Sequence, residues 1–299
     1  MLILPAIDAI AKGLSDTISA GEVAWVRLFC QTVFLLPFVI RYGFTVKGPI
    51  WIHISRGFLM AGVWVVFVIA LAVMPLANVI AVFFISPLIL TLLGAFLLGE
   101  PIGWRRVSAI IAGLFGAILI TQPSYIDFGW ISLLPACAAL GFAVYMLLTR
   151  KLARGVEVYG AISMQFYAGL FGTTFLTGAL TIGALTDVRV LAIALPNRFE
   201  WSLLMLLAVI ATVGHILIAL AASRIEAGQI APFLYLEIIG ATTLGLIFFG
   251  EFPDYIAWIG ILIIISSGLY VYYRETITSR VEASLLHDNI SPRPPGDAR

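Results

Sequence analysis

Residues 91–100 read TLLGAFLLGE, and 151 positions later residues 242–251 read TTLGLIFFGE. The same offset relates Thr91 to Thr242, Leu93 to Leu244, Gly94 to Gly245, Gly99 to Gly250, Glu100 to Glu251 and Ile110 to Ile261, with the polar pair Asn78/Gln229 upstream in register. A shared offset of this length marks an internal duplication, which has to be recognised before any element is assigned. Both copies are apolar runs closed by Gly-Glu, so the duplicated unit is a membrane unit.

Composition agrees. The 299 residues are 62% hydrophobic and 11% charged, with a mean hydropathy of +1.08, too little polar surface for a water-soluble globule of this size. A bilayer core of about 30 Å needs roughly 20 apolar residues per helical crossing. Ten such spans fit between turn and charge punctuation: 2–19, 22–41, 51–74, 76–98, 104–121, 129–150, 158–181, 200–222, 226–250 and 255–273. The runs are continuous rather than alternating, which excludes a barrel. Cys30 and Cys137 both fall inside spans, so neither a disulfide framework nor a paired-cysteine metal site is expected. The first span carries Asp8 and Lys12 and lacks a small-residue cleavage site, so it reads as a retained helix.

Lys and Arg gather at Arg41, Lys47, Arg56, Arg105, Arg106, Arg150, Lys151, Arg154, Arg224, Arg274 and Arg280, all assigned to one side, with Arg189 and Arg198 opposite. Positive charge marks the cytoplasmic face, which places both termini inside. Five crossings per half is an odd number, so the second copy enters the membrane upside down. The expected architecture is therefore an all-α membrane protein of ten helices in two inverted five-helix repeats, residues 1–123 and 127–273. The tail 276–299, with Pro292, Pro294 and Pro295 among polar residues, is expected to be disordered. Inverted repeats are typical of secondary carriers, whose solute site lies near the midplane between the halves.

Intramembrane polar groups are the candidates for that site. Glu237 lies eleven residues into the ninth span, about 16 Å deep at 1.5 Å per residue, where a carboxylate costs about 2.5 kcal/mol or more. It is a candidate substrate or coupling group, or else an ion pair with Lys12 or Arg27, or a neutral packed acid. Its counterpart in the first repeat is Ser86. Asp8 and Lys12 are spaced i, i+4 and share a helix face, lining the cavity, bracing it, or pairing near the surface. Arg27, just over a turn inside the second span, either serves the site or snorkels outward. His215 either titrates in a proton-coupled cycle or packs. Gln165, Tyr167, Asn78 and Gln229 offer neutral hydrogen-bonding groups for solute or for helix contact. Pro87 and Pro232 each remove a backbone hydrogen bond and predict kinks, with Phe83, Phe84, Phe233 and Tyr235 beside them as stacking surfaces or packing residues. Ala109, Ala112, Gly113 and Gly116 give small-residue spacing for close helix contact. Glu100 and Glu251, just past helix ends, are expected to fasten turns.

RGF at 56–58, LAVMPLANVIAVFFISPL at 71–88, LLGE at 97–100, APFLYLE at 231–237 and FFGEFPD at 248–254 resemble the drug/metabolite transporter superfamily, in its ten-helix branch built from two EamA domains. Within it, GEVAWVRLFCQTVFLLPFVIRYG at 21–43 is most similar to S-adenosylmethionine uptake and riboflavin carriers. The resemblance covers residues 1–273. It implies a carrier of the bacterial inner membrane for a small organic metabolite, with a cavity between helices 1, 3, 4, 6, 8 and 9. A heteroaromatic vitamin or cofactor such as riboflavin or S-adenosylmethionine is the expected solute, with export of amino acids or toxic metabolites as the alternative. No cofactor, metal or nucleic acid is implied; lipid and solute are the expected partners, and a homodimer is compatible. GxxxxGK[ST] and HExxH are both missing, so neither an ATP-driven pump nor a zincin protease is supported. An embedded lipid-modifying enzyme would need polar groups clustered at one membrane face, and the loops are short and sparse in them.

Overall fold

The computed structural model of the chain describes residues 4–44, 48–98, 103–153, 158–224 and 236–290. Every regular element among them is helical: α1 (Leu4–Leu14), α2 (Ala20–Tyr42), α3 (Ile50–Val73), α4 (Leu76–Phe83), α5 (Ser86–Leu98), α6 (Trp104–Phe128), α7 (Leu134–Ala153), α8 (Val158–Thr186), α9 (Arg198–Arg224), α10 (Leu236–Phe249) and α11 (Tyr255–Ile290), with 3₁₀ turns at Gly129–Leu133 and Arg189–Leu191. Seven helical stretches among the described residues are long and apolar enough to cross a bilayer, one of them running through α4 and α5 together; α10 is apolar but shorter. Large apolar side chains on the outside, such as Ile126, Leu185 and Phe96, are left more than three-quarters exposed. That surface suits lipid and not water.

Local chemistry sets the helix ends. Ser15, Asp16 and Thr17 form a turn that stops α1 at Leu14, five residues short of the expected end, and the Ser19 hydroxyl accepts the Glu22 N–H to start α2. Asn197 accepts from the N–H groups of Phe199 and Glu200 while Glu200 accepts from the Asn197 N–H, a reciprocal capping box that begins α9. Asp254 caps α11 through the Ala257 N–H at 2.6 Å. That last helix continues to Ile290, so residues 276–290 are helical where disorder was expected. The prolines that argued for an irregular tail all lie beyond Ile290.

Helices from the two ends of the chain interleave. α6 packs on α11, α2 on α8, α3 on both α7 and α8, α2 on α9, α5 on α7, and α1 on both α9 and α10. Between apolar helices in lipid the attraction comes from close packing, which small residues allow. Ala24, Ala61, Ala143 and Ala168 are accordingly fully buried. The nearest approaches need glycine. A Cβ on Gly116 would meet the Gly260 carbonyl at 2.9 Å and one on Gly260 would meet the Gly116 carbonyl at 2.6 Å, which locks α6 to α11. Ser267 adds a hydrogen bond to the Ala109 carbonyl across the same pair. The Gly57/Gly172 contact does the same for α3 and α8.

Candidate functional site

The repeated Gly-Glu sequence explains one end of the molecule. Gly250 takes φ +67°, the left-handed region that glycine adopts freely, so the chain reverses after α10 and the Glu251 N–H bonds back to the Gly245 carbonyl. The Glu251 carboxylate then holds Lys12 at 2.9 Å through one oxygen and the Leu76 N–H at 3.1 Å through the other. Lys12 also donates to the carbonyls of Leu71 and Met74, at 3.1 and 2.6 Å. All three ammonium donors are thus used, and α1, the α3–α4 turn and the end of α10 are tied together. Lys12 pairs with Glu251 instead of Asp8 or Glu237 and does not line the cavity described below. Glu100, its counterpart in the first copy, lies outside the described residues.

One turn before Lys12, Asp8 lines a cavity of about 180 Å³. Glu237, in the first turn of α10, lines it too, as does Ser86, the residue that matches Glu237 in the first copy. Asp8 and Glu237 lie near enough to repel each other, and Asp8 and Arg27 near enough to attract. Carboxylates held in an interior of low dielectric call for a bound proton or a cationic partner.

The cavity wall is aromatic. Trp64, Phe67, Phe83 and Phe142 all face it, and each ring touches the next, at centroid distances of 6.0, 5.0 and 5.3 Å. Phe142 stacks in turn on Tyr145 at 5.9 Å. A guanidinium stands at each end of this ladder: Arg27 is 3.7 Å from the Trp64 centroid and Arg56 is 5.0 Å from that of Tyr145, both within cation–π range. Arg27 is fully buried, so it does not snorkel outward.

The fourth expected span is interrupted. α4 ends at Phe83, Phe84 and Ile85 form a turn, and α5 starts at Ser86. Pro87 cannot donate to the Phe83 carbonyl four residues back, which accounts for a break at this point. Phe84, Ser86 and Pro87 all line the cavity, so the interruption lies at its edge, where irregular backbone inside a membrane is tolerated.

Among the expected site residues, Asp8, Glu237, Phe84 and Pro87 therefore converge on one cavity, with Arg27 immediately behind Trp64. Gln165 sits elsewhere: its side chain accepts the Tyr145 hydroxyl at 3.0 Å and its carbonyl accepts Gln31 at 3.1 Å. Tyr235 and Pro232 lie outside the described residues, and so does the side chain of His215, which falls on α9. Of the helices expected around the cavity, the first, third, fourth, sixth and ninth contribute; α9, the expected eighth, supplies no described lining residue. Trp64, Phe67 and Phe142 were not anticipated. Arg56 had been counted with the cytoplasmic loop charges, yet it lies seven residues into α3 and is fully buried. A charge that deep in an apolar run was the available signal. A larger groove of about 640 Å³, lined by Trp104, Arg105 and Tyr270 among others, is a shallow feature on the outer side of the α6–α11 pair and has no acidic group.

Comparison with known proteins gives a consistent result. The model of the EamA-like transporter family matches twice, at residues 2–122 and 129–273. An S-adenosylmethionine uptake transporter of Rickettsia bellii (strain RML369-C) is 30% identical over 271 residues, covering 90% of this chain and 89% of its own. A riboflavin transporter of Rhizobium johnstonii (strain DSM 114642 / LMG 32736 / 3841) is 30% identical over 267 residues, covering 89% and 84%. One solved structure aligns with a TM-score of 0.59 at 17% identity, over 89% of this chain and 92% of that one, a likeness of fold.

Proposed function

The chain belongs to the EamA-like transporter family, and from that premise we propose that it carries a heteroaromatic, positively charged metabolite across a bacterial inner membrane by alternating access. Transport of a small metabolite follows from the family and from the relatives' activities; the solute class is our reading of the cavity. The observation that carries it is the pairing of Asp8 and Glu237 with an aromatic wall in one cavity. Flat rings would stack on Trp64, Phe67, Phe83 and Phe142, while a cation would pair with the carboxylates of Asp8 and Glu237. S-adenosylmethionine, the solute named for the Rickettsia relative, has both features; riboflavin, named for the Rhizobium relative, has the rings alone.

The architecture in this proposal is ten spans in two inverted repeats with both termini cytoplasmic. Packing supports it. Exchanging α1 with α7, α2 with α8, α3 with α9, α5 with α10 and α6 with α11 turns each of the main helix contacts into itself or into another observed contact: α3–α7 into α1–α9, α3–α8 into α2–α9, and α5–α7 into α1–α10. Both α1 and α7 also begin with the same tripeptide, Leu4-Pro5-Ala6 and Leu134-Pro135-Ala136. Rocking of such halves about a central site is how carriers of this kind alternate access.

Purified protein in liposomes, given labelled S-adenosylmethionine, riboflavin and aromatic amino acids under imposed proton gradients, tests the proposal. Accumulation of a cationic heteroaromatic solute, strongly reduced by Glu237→Gln or Asp8→Asn in correctly folded protein, is expected. Transport of anionic solutes alone, or no transport of any of them, would sink it.

A further inference from the structure

Arg56 is fully buried, yet every acceptor it meets is neutral. Its Nε donates to the Thr149 hydroxyl at 2.9 Å, Nη1 to the Met164 carbonyl at 3.1 Å and Nη2 to the Tyr145 hydroxyl at 3.1 Å. No carboxylate among the described residues forms an ion pair with it. A guanidinium has five N–H donors in a planar fork, so three are engaged and two remain. A buried charge without a counter-ion is costly enough that proteins pair it or put it to use. Lys12 is the informative contrast, since its ammonium is neutralised by Glu251 and saturated by carbonyls and has nothing left to offer a ligand.

Arg56 also lies next to the cavity. On α3 it is one turn from Met60 and two turns from Trp64, at i, i+4 and i+8, and both of those residues line the cavity. On α7 its partner Tyr145 stacks on the cavity residue Phe142. The described cavity, about 180 Å³, is smaller than the roughly 300 Å³ at which small-molecule sites begin. A metabolite of the proposed class therefore needs the space to extend beyond its present limits. Extension toward the N-terminal end of α3 leads to a guanidinium with unused donors.

We infer that Arg56, oriented by Tyr145, Thr149 and the Met164 carbonyl, is the subsite for a carboxylate on the solute. The transported molecule is then amphoteric: its cationic part lies against Asp8 and Glu237, its ring on the aromatic ladder, and its carboxylate on the two remaining N–H groups of Arg56. This deepens the proposed carrier function and rests on it. Bidentate capture of carboxylate is the geometry for which arginine is suited and lysine is not.

The test is equilibrium binding to the purified full-length protein in detergent, with S-adenosylmethionine, its decarboxylated analogue and riboflavin as probes. The wild type is expected to bind S-adenosylmethionine about thirty-fold or more tighter than the decarboxylated analogue, the scale of losing one partner of a buried charge pair. Arg56→Gln should remove that preference and leave affinity for the decarboxylated analogue unchanged, while Arg56→Lys restores only part of it. Equal binding of both analogues by the wild type, or an equal loss for both in Arg56→Gln, overturns the inference and makes Arg56 a staple between α3, α7 and α8. Binding of riboflavin but not S-adenosylmethionine overturns it as well, while leaving a heteroaromatic carrier standing. Binding of none of the three overturns the proposed solute class, and this subsite with it.

Discussion

Breaking the Lys12–Glu251 tie should destabilise the protein in a way that depends on the partner. Removing one member of a buried ion pair costs about 3–5 kcal/mol, but the Glu251 side chain is 28% exposed, so water screens part of the loss. For Glu251→Gln, where the amide can still accept the Leu76 N–H, we expect about 2 kcal/mol. Lys12→Met releases the Leu71 and Met74 carbonyls and unpairs Glu251, for a similar cost of about 2 kcal/mol. The double variant should cost less than the sum of the two, by about 1–2 kcal/mol, because the second substitution removes a charge that the first had stranded. At roughly 2 °C per kcal/mol for a chain of this size, each single variant melts about 4 °C below wild type in the same detergent. The assay is a thermal unfolding series on wild type, both singles and the double. Strict additivity, or single shifts under about 1 °C, would refute the idea that this contact ties the first matched segment to the second.

Other outcomes follow from the same geometry. Gly116→Leu drives a side chain into the Gly260 carbonyl, and separating α6 from α11 should lower the melting point by several degrees, about 1–3 kcal/mol, as read in the same thermal series. Asn197→Ala removes the α9 capping box and should cost about 1 kcal/mol, measured as faster amide exchange in the first turn of α9. Phe142→Ala opens the middle of the aromatic ladder; solute affinity should fall about ten-fold, the worth of one stacking contact, as read by equilibrium binding to the folded fraction. Glu237→Gln should change the pH dependence of transport as well as its rate, checked by uptake at several external pH values; an unchanged profile would mean that Glu237 plays no part in coupling.

The membrane class and the helical content were legible because they rest on hydropathy and span length, which act locally. The Gly-Glu motif was legible for the same reason, although the Glu251 carboxylate, expected to fasten the turn into the last span, holds Lys12 and the Leu76 N–H instead. What it holds was not legible, since Lys12 reaches it from more than two hundred residues away in sequence, and an i, i+4 spacing from Asp8 pointed to the nearer partner. Asp8, Glu237, Phe84 and Pro87 were singled out as chemically unusual residues within apolar runs, and they share a cavity. The aromatic wall could not be singled out, because Trp64 and Phe142 look like any other large apolar residue until three helices bring them into contact. Arg56 was misplaced by a rule about loops applied to a residue that the helix had already carried inside.

The aromatic ladder spans three helices and interlocks ring to ring, so altering its middle disturbs several contacts at once, whereas the charged residues at its margins can change one at a time. A wall of π-faces is tolerant of which heterocycle lies on it. On the proposed reading, recognition of a particular solute falls to a few peripheral charges, Asp8 and Glu237 on one side and Arg56 on the other. A lineage could exchange one cargo for another through a handful of substitutions, with the scaffold and its route through the membrane left intact.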